Sequence, residues 1–287
     1  MSKKRTGIKL ILMFAIAFSI MWAGETKTYA QTTVSEEEPN DTRETAQLIQ
    51  ANKETAVQAA SGQYPDKYSV YGYADTSDTD WYKVYLATGE QYVTCNGFDF
   101  DFCVYDENNN VVLQKSYSKS SYGLRAYPFY VHNNGYYYIK INGITSSSEK
   151  YIILVGDPVY TSAHCKINLG SVNMAENAEF KRLIDLTNEN SIPEDALIYD
   201  MAFYGLRTSN AKYATVNNKT KGYTKSFGPS IYSIHNIASL GLKVRSDWEF
   251  KIGCIKNKAI DAEFTMYFVY PVKSEYLPNN EIVFNAY

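Results

Sequence analysis

The amino-acid sequence predicts an all-β protein with two antiparallel β-sandwich domains in tandem, preceded by a secretory signal peptide. Three observations lead to this fold class. Tyr accounts for 27 of 287 residues, and Val, Ile, Thr and Phe are frequent, which suits strands packing on a half-buried pleated surface. Short segments of alternating apolar and polar residues recur between turn residues, as in β-sandwiches. The alternation restarts after residues 156–158, Gly-Asp-Pro, where we place the domain boundary.

Residues 1–30 have the pattern of a secretory signal peptide. Four basic residues precede an uncharged apolar run from Leu10 to Trp22, and a polar stretch then ends in Thr28-Tyr29-Ala30. The apolar run is too short and wrongly flanked for a stable membrane span. We therefore expect a secreted mature protein that does not insert into membranes.

The mature chain is acidic. Without residues 1–30 it keeps 23 basic and 30 acidic residues, so its net charge is −7. It has no cluster of Lys and Arg, which argues against nucleic acid as a partner and against binding to anionic lipid.

The first predicted domain, residues 31–155, contains strand segments in which alternate residues are apolar. One short helix is predicted from Thr42 to Ile49, because Asp41 is a favourable N-cap residue. The residues predicted to face the core of this domain are Tyr82, Val84 and Leu86; Phe98, Phe100, Phe102 and Val104; Tyr137, Ile139 and Ile141; and Tyr151, Ile153 and Val155.

The second predicted domain, residues 159–287, also shows the period of β-strands. Residues 178–186 fit either a helix or a strand, and the family of this domain is not recognised from the sequence. The residues predicted to face its core are Leu242, Val244, Trp248, Phe250, Ile252 and Cys254, together with Phe264, Met266 and Phe268.

Parity along the strands predicts where the four cysteines point. Cys95 shares a face with core residues and Cys103 lies on the opposite face of its strand, so a disulfide between them is unfavourable. Cys165 and Cys254 both face the second core, where they either form a disulfide or pack as small apolar thiols.

Five sequence pieces follow one another through the first domain. They are Glu38-Pro39-Asn40-Asp41; Gly72 followed by Asp-Thr-Asp-Trp-Tyr-Lys-Val at 78–84; Phe-Asp-Phe-Cys-Val-Tyr-Asp at 100–106; Gly-Tyr-Tyr-Tyr-Ile-Lys-Ile at 135–141; and Tyr-Ile-Ile-Leu-Val at 151–155. Together they resemble the bacterial pre-peptidase C-terminal domain, a family related to the collagen-binding domains of clostridial collagenases. The family has Leu where this chain has Phe100 and Phe102. The resemblance implies a jelly-roll β-sandwich that often binds calcium near its N-terminus.

Side-chain oxygens are concentrated in two stretches of the first domain. Calcium takes six to eight oxygen ligands, and a divalent ion would remove the repulsion between carboxylates brought together. We therefore expect both stretches to form one structural calcium site; two separate solvated acidic loops are the alternative. The candidate ligands are Glu36, Glu38, Asn40 and Asp41 in the first stretch, and Asp75, Asp78 and Asp80 in the second.

A candidate ligand-binding row follows Gly135. If Tyr137, Ile139 and Ile141 face the core, then Tyr136, Tyr138 and Lys140 face solvent. The resemblance implies a role for this row, because collagen-binding relatives use exposed tyrosines on their sheet. Tyr also presents a large rigid ring together with a hydroxyl group. The alternative is that these tyrosines only pair with neighbours across the sheet.

The sequence favours a protein that is not an enzyme. The histidines, His132, His164 and His235, do not form a His-Glu-x-x-His or His-x-His arrangement, and no Gly-x-Ser-x-Gly motif or phosphate-binding loop is present. We expect His235, which lies among isoleucines, to be a half-buried structural side chain.

The expected function is that of a secreted, calcium-stabilised binding or accessory protein. Its expected partner is an extracellular protein of the collagen type or a polysaccharide, and a co-secreted peptidase is a further candidate. Two alternatives remain open. One is a secreted hydrolase whose active site lies in the second domain, in a pocket with convergent carboxylates or a His–carboxylate pair. The other is an inhibitor or chaperone of a co-exported protease.

Overall fold

The structure of the chain is a computed structural model that describes residues 32–119, 124–228, 230–255, 258–273 and 280–285, with the backbone alone described at 171–174 and 258–260. The predicted signal peptide, residues 1–30, lies outside the described residues. Nearly all regular structure is β, which confirms the predicted fold class. Among the described residues, no helix has the length and apolar character needed to span a membrane.

The first half is a sandwich of two five-stranded sheets. One sheet has the order β1-β3-β10-β5-β8 and the other the order β2-β4-β9-β6-β7. The pairs β1–β3 and β2–β4 are parallel, and the remaining pairs are antiparallel. The strands are β1 (Thr32–Ser35), β2 (Gln47–Ile49), β3 (Tyr68–Ala74), β4 (Thr79–Leu86), β5 (Gly89–Gly97), β6 (Phe100–Tyr105), β7 (Val111–Tyr117), β8 (Arg125–Val131), β9 (Gly135–Gly143) and β10 (Glu149–Gly156).

The alternating rows of the first half form its core as predicted, with one exception. Tyr82, Val84 and Leu86 are buried, and so are the inward rows of β6, β9 and β10. Phe98 was expected in the same row as Phe100, but it lies in the turn before β6 and is 40% exposed. The Lys119 Nζ atom covers its ring at 4.0 Å from the ring centre.

The predicted helix from Thr42 to Ile49 is wrong. Hydroxyl hydrogen bonds between Thr42 and Thr45 hold a turn, and residues 47–49 form β2, which pairs in parallel with β4. The local helix preference of so short a segment is weak, and its pairing with β4 outweighs that preference. The helix of the described first half is instead α1 (Ala56–Ser61), which begins at a capping box formed by Thr55 and Gln58.

The second half is a sandwich of a five-stranded and a four-stranded sheet. Their orders are β16-β13-β18-β11-β19 and β12-β17-β14-β15. The segment at 178–186, which the sequence left open, forms β12. The strands are β11 (Tyr160–Met174), β12 (Glu179–Asp185), β13 (Leu197–Tyr204), β14 (Ala211–Asn218), β15 (Tyr223–Phe227), β16 (Ser233–Ile234), β17 (Asp247–Cys254), β18 (Lys258–Pro271) and β19 (Glu281–Asn285), and a 3₁₀ helix spans Ala238–Leu240.

The predicted inward rows of the second half are buried in its core. Trp248, Phe250 and Ile252 are at most 1% exposed and lie on β17. Leu242 and Val244 are equally buried, although they precede the strand. Cys95 and Cys165 are buried, as their parity along the strands predicts. Both are free thiols, and burial raises the pKa of each.

The two halves contact each other through apolar side chains. Alanines of α1 pack with Leu197, Ala238 and Val269 of the second half. At residues 156–158 the chain is fixed by Asn52, whose Nδ2 donates to the Asp157 carbonyl at 2.8 Å. Independent folding of residues 31–155 and 159–287 stays a prediction, and separation of the halves would expose these apolar contacts.

Candidate metal site

The N-terminal acidic stretch is held against strand β3. The Glu36 N–H donates to the Tyr71 carbonyl at 2.9 Å, and the Tyr73 N–H donates to Glu36 Oε2 at 2.7 Å. Gly72 makes this approach possible, because a Cβ atom there would lie 2.2 Å from Tyr151 Oη and 2.8 Å from Glu36 Oε2. The Glu36 side chain therefore lies across the backbone of β3.

The same stretch is joined to the beginning of β4. The Asn40 carbonyl accepts a hydrogen bond from the Trp81 N–H at 2.9 Å, and the Asn40 N–H donates to Glu38 Oε2 at 2.9 Å. These contacts bring the carboxylates before Asn40 close to those of Asp78, which immediately precedes β4, and Asp80, which is the second residue of β4.

Four carboxylates converge at this junction. One oxygen from each of Glu36, Glu38, Asp78 and Asp80 lies within 4.8 Å of the others. Two calcium ligands, each about 2.3–2.6 Å from the ion, are at most about 5 Å apart, so the four oxygens fit around one cation. Oxygen-only ligands are typical of calcium and other hard cations.

The negative charge of the cluster is not balanced by the protein. Among the described residues, no Lys, Arg or His forms an ion pair with these four carboxylates. Lys150 lines the groove beside Glu36 and Glu38, but its Nζ lies 4.3 Å from the centre of the Tyr71 ring.

Burial and mutual repulsion change the acidity of the cluster. Burial raises the pKa of Asp80 to about 8, and the neighbouring Glu36 carboxyl contributes to the rise. Burial also raises the pKa values of Glu36 and Asp78. Without a cation, Asp80 is therefore protonated near neutral pH, and a bound cation would displace that proton.

Buried polar atoms without partners lie next to the cluster. Asn40 is fully buried and neither atom of its side-chain amide has a hydrogen-bond partner, and Asp80 Oδ1 also lacks one. Buried polar groups are nearly always paired, so these atoms point to a missing partner such as a cation or its water. The donor set, the charge and these orphaned atoms together fit a hard divalent cation.

The seven predicted ligands thus divide into groups. Glu36, Glu38, Asp78 and Asp80 come together, and Asn40 is buried beside them. Asp41 is exposed and adds repulsion at Asp78. Asp75 is half-buried and accepts hydrogen bonds from the Ser77 N–H at 2.8 Å and the Ser77 hydroxyl at 2.6 Å, which lower its pKa. Its carboxylate lies outside the converging four.

Sequence reasoning missed the role of Tyr151 in this site. Tyr151 was identified only as a core residue, but its hydroxyl donates to Asp80 Oδ2 at 2.7 Å and also contacts the Tyr82 hydroxyl. A signal was present in the sequence: tyrosines stand in three of the predicted inward rows, where aliphatic residues would suffice, and a buried hydroxyl requires a polar partner.

The predicted ligand row lies on the outer face of the same sandwich. Tyr136, Tyr138 and Lys140 are partly exposed on β9, opposite the buried Tyr137 and Ile139.

Cationic side chains cover this row. Arg43 lies 4.1 Å from the centre of the Tyr138 ring, and Lys83 lies 4.2 Å from that of Tyr136. Lys140 lies 5.8 Å from the centre of the Trp81 ring. The structure therefore presents a layer in which aromatic rings and cationic side chains alternate; it is neither a bare row of tyrosines nor an apolar patch. We call this layer the aromatic face; it consists of Arg43, Trp81, Lys83, Tyr136, Tyr138 and Lys140.

Comparisons with known proteins give the fold. No protein-family model matches the chain, and no curated protein matches it. The chain is similar to the crystal structure of a protein from Eubacterium rectale that is described as a secreted protein. The similarity covers 92% of this chain and 86% of that protein, with a TM-score of 0.51 and 10% sequence identity. This likeness shows an all-β architecture shared across both halves.

Two further solved structures are similar over smaller parts of the chain. The pre-peptidase C-terminal domain of a Bacillus anthracis collagenase aligns with 42% of this chain and 99% of its own length, at 14% identity and a TM-score of 0.29. The exported protein XepA of PBSX aligns with 70% of this chain and 84% of its own, at 10% identity and a TM-score of 0.23.

Proposed function

We propose that the protein is a secreted binding or accessory protein whose first half is a calcium-stabilised module of the pre-peptidase C-terminal type. The observation that carries the proposal is the convergence of Glu36, Glu38, Asp78 and Asp80 without a balancing cation. The first of the family-like sequence pieces supplies Glu38 and the second supplies Asp78 and Asp80, while Glu36 lies two residues before the first piece. The binding role requires no catalytic group from this half.

Calcium would be held by carboxylates of the four converging residues. The Asn40 side-chain oxygen is a further candidate, since it is buried beside them without a partner. Calcium accepts six to eight oxygens in variable geometry, which suits side chains from two separate stretches, whereas magnesium requires near-ideal octahedral geometry. The ion would fix the N-terminal stretch to β4 and so complete the edge of the sandwich.

Melting of the mature chain in millimolar calcium and in excess chelator tests this site. At about a hundred times its dissociation constant, a ligand that binds only the folded state adds roughly 2.7 kcal/mol to the free energy of unfolding. We expect a clear rise of the melting temperature with calcium and a smaller one with magnesium. Equal melting temperatures in calcium and in chelator would remove the calcium site from the proposal.

The aromatic face is the proposed surface for an extracellular partner. Its cations and rings suit a protein of the collagen type, which offers carbonyls, carboxylates and apolar proline rings, or a polysaccharide, whose sugar rings stack on aromatics. Tyr136 and Tyr138 would be the central anchors and Lys140 a polar contact. A co-secreted peptidase is the further candidate partner.

Binding to immobilised collagen and to polysaccharides, with and without calcium, tests this surface. Tyr136→Ala and Tyr138→Ala should each weaken binding by at least about 1 kcal/mol if they are anchors. Tyr130→Ala is the matched control, because Tyr130 is 56% exposed on β8 of the other sheet. An unchanged affinity in a folded double variant of Tyr136 and Tyr138 would rule out this face.

A further inference from the structure

The second half contains a hydrogen-bonded series of three side chains that the proposed binding role does not use. His235 Nδ1 lies 3.0 Å from Asp200 Oδ2, and His235 Nε2 lies 3.2 Å from the Ser233 hydroxyl oxygen. The expectation that His235 is half-buried is wrong, because 62% of its side chain is exposed. A His–carboxylate pair in a pocket of this half is the feature that distinguishes the hydrolase alternative.

A β-bulge in β13 places Asp200 on the outer face of the sheet. The pairing of β13 with β18 shifts register between Ile198 and Asp200. Ile198 and Met201 both lie in the core, so the two residues between them face outward. In a regular strand, Asp200 would share the inward face of Ile198. Bulges redirect side chains in this way and are frequent next to active sites.

The segment that carries Ser233 and His235 is fixed to β13 on both sides of these residues. The Phe203 N–H donates to the Tyr232 carbonyl at 2.8 Å, and the Ile237 N–H donates to the Tyr199 carbonyl at 2.9 Å. Between these bonds, the Asn236 N–H donates to Asp200 Oδ1 at 2.9 Å, with Asn236 at φ +59°. The three side chains are therefore supported by backbone bonds, as a preorganised site requires.

The order of contacts assigns a chemical role to each group. A carboxylate only accepts, so His235 Nδ1 carries the proton donated to Asp200, and Nε2 is left with a lone pair that accepts from the Ser233 hydroxyl. We propose that Ser233, His235 and Asp200 form an acyl-transfer site in which Ser233 is the nucleophile, His235 the general base and Asp200 a positioning residue. This is the arrangement of the serine hydrolases, which is recognised by geometry and occurs on unrelated folds.

The surrounding cavity indicates the class of substrate. It has a volume of about 400 Å³ and is lined by Tyr199, Tyr204, Tyr232 and Tyr267 beside the three polar residues. These rings suit an ester with an aromatic or otherwise apolar acyl group.

Two of these tyrosines also supply a hydrogen-bond donor. The Tyr204 and Tyr267 hydroxyls lie 2.8 Å apart beside the same cavity, so one donates to the other and the second hydroxyl proton is left for a further acceptor. This hydrogen bond and burial raise the pKa of Tyr267 to about 12.

The reaction needs only an ester and water. Ser233 Oγ bonds to the carbonyl carbon while its proton passes to His235 Nε2; the bond to the alcohol oxygen breaks, and the alcohol leaves with that proton. Water then attacks the acyl-serine in the same way, which releases the acid and restores the Ser233 hydroxyl.

Labelling of the mature full-length chain with an alkyl fluorophosphonate tests the nucleophile. The probe forms an Oγ–P bond with loss of fluoride, and peptide mass spectrometry locates the adduct. We expect an adduct at Ser233, none in Ser233→Ala, and the wild-type rate in Ser191→Ala. Ser191 is a suitable control because its hydroxyl donates to Glu189 at 2.8 Å and contacts no His. Absence of a Ser233 adduct on folded protein overturns the proposal and leaves the three residues as anchors of a turn.

Two further variants test the partners of Ser233. His235→Ala should slow adduct formation roughly a hundredfold, the usual contribution of a general base, and added imidazole should restore part of the rate. An unchanged rate in folded His235→Ala overturns the role of His235. In Asp200→Asn, nitrogen NMR should show the His235 proton moving from Nδ1 to Nε2. An unchanged tautomer removes Asp200 from the site.

Discussion

Glu54 and Asp80 are two buried carboxylates of the first half that are compensated in different ways. Glu54 is 3% exposed and forms an ion pair with Lys67 at 3.2 Å. Asp80 is 0% exposed and accepts a hydrogen bond from the Tyr151 hydroxyl, while further carboxylates stand beside it. One site carries its counter-charge within the chain, whereas no cationic side chain of the described residues forms an ion pair with the other.

The difference explains why one carboxylate is structural and the other is a candidate ligand. A buried charge is tolerated only when it is paired or neutralised. Burial raises the pKa of Glu54, but the Lys67 ammonium opposes the rise. At Asp80 the adjacent Glu36 carboxyl adds to the rise. The fixed lysine makes the first site insensitive to metal, whereas the second should respond to it.

The largest expected effect comes from removing the internal counter-charge. Lys67→Met leaves Glu54 buried without a partner and should lower the free energy of unfolding by about 3 kcal/mol at pH 8. Glu54 can take up a proton at lower pH, so the loss should shrink towards pH 5. Urea denaturation at both pH values measures it, in calcium and in chelator.

The matched control for this substitution is an exposed ion pair. Lys181→Met breaks the contact of Lys181 with Glu249 at 2.7 Å, where Lys181 is 51% exposed, and should cost at most about 1 kcal/mol. If Lys67→Met costs no more than Lys181→Met, the Glu54 charge is not held by its internal partner, and the contrast with Asp80 disappears.

The second-largest effect on stability is expected from removing one of the carboxylates proposed to bind calcium. Asp78→Ala should abolish most of the roughly 2.7 kcal/mol that saturating calcium adds, while the protein stays folded in chelator. Asp75→Ala is the control, because the Asp75 carboxylate is hydrogen-bonded to Ser77 and lies outside the four converging carboxylates. Calorimetric melting with and without calcium compares the two. A full calcium response in Asp78→Ala would exclude this residue from the site.

The smallest effect is a pH dependence in the absence of calcium. The folded state raises the pKa of Asp80 from 3.8 to about 8, so the folded protein binds a proton that the unfolded chain releases. This contribution to stability is complete below about pH 4 and is lost as the pH rises through about 8. We expect at least about 1.4 kcal/mol to be lost, the equivalent of one pKa unit.

Asp80→Asn isolates the group responsible for this slope. Asparagine is neutral and keeps an oxygen for the Tyr151 hydroxyl, so the variant should be as stable in chelator at pH 8 as at pH 5, and calcium should not stabilise it. Denaturation between pH 5 and 8 measures the slope. A variant with the wild-type pH dependence would place the titrating proton on another group.

The sequence predicted those features that depend on local periodicity. Tyr82, Val84 and Leu86 on β4 and Trp248, Phe250 and Ile252 on β17 are buried because a strand with one face in a core must alternate. The prediction failed where pairing with a distant strand decides the structure, as for Gln47–Ile49, which joins β4 as a strand. No local pattern reports the position of a parallel partner.

The candidate metal site was predicted in part for the same reason. Two acidic stretches identified Glu36, Glu38, Asp78 and Asp80, because carboxylates concentrated near a strand are visible in composition. Two hydrogen bonds could not be predicted: that between Asp75 and Ser77, and that from the Tyr151 hydroxyl to Asp80. Both depend on where neighbouring groups lie in the folded chain.

By itself the sequence determined the all-β fold class, the inward rows and the acidic groups that can bind a cation, since these follow from residue type and a period of two. Tertiary structure alone decided which oxygens meet, and it alone brought Asp200 to His235, because the bulge in β13 changes the face of every residue after it. A register shift of one residue leaves composition unchanged and reverses the inward and outward sides of a strand.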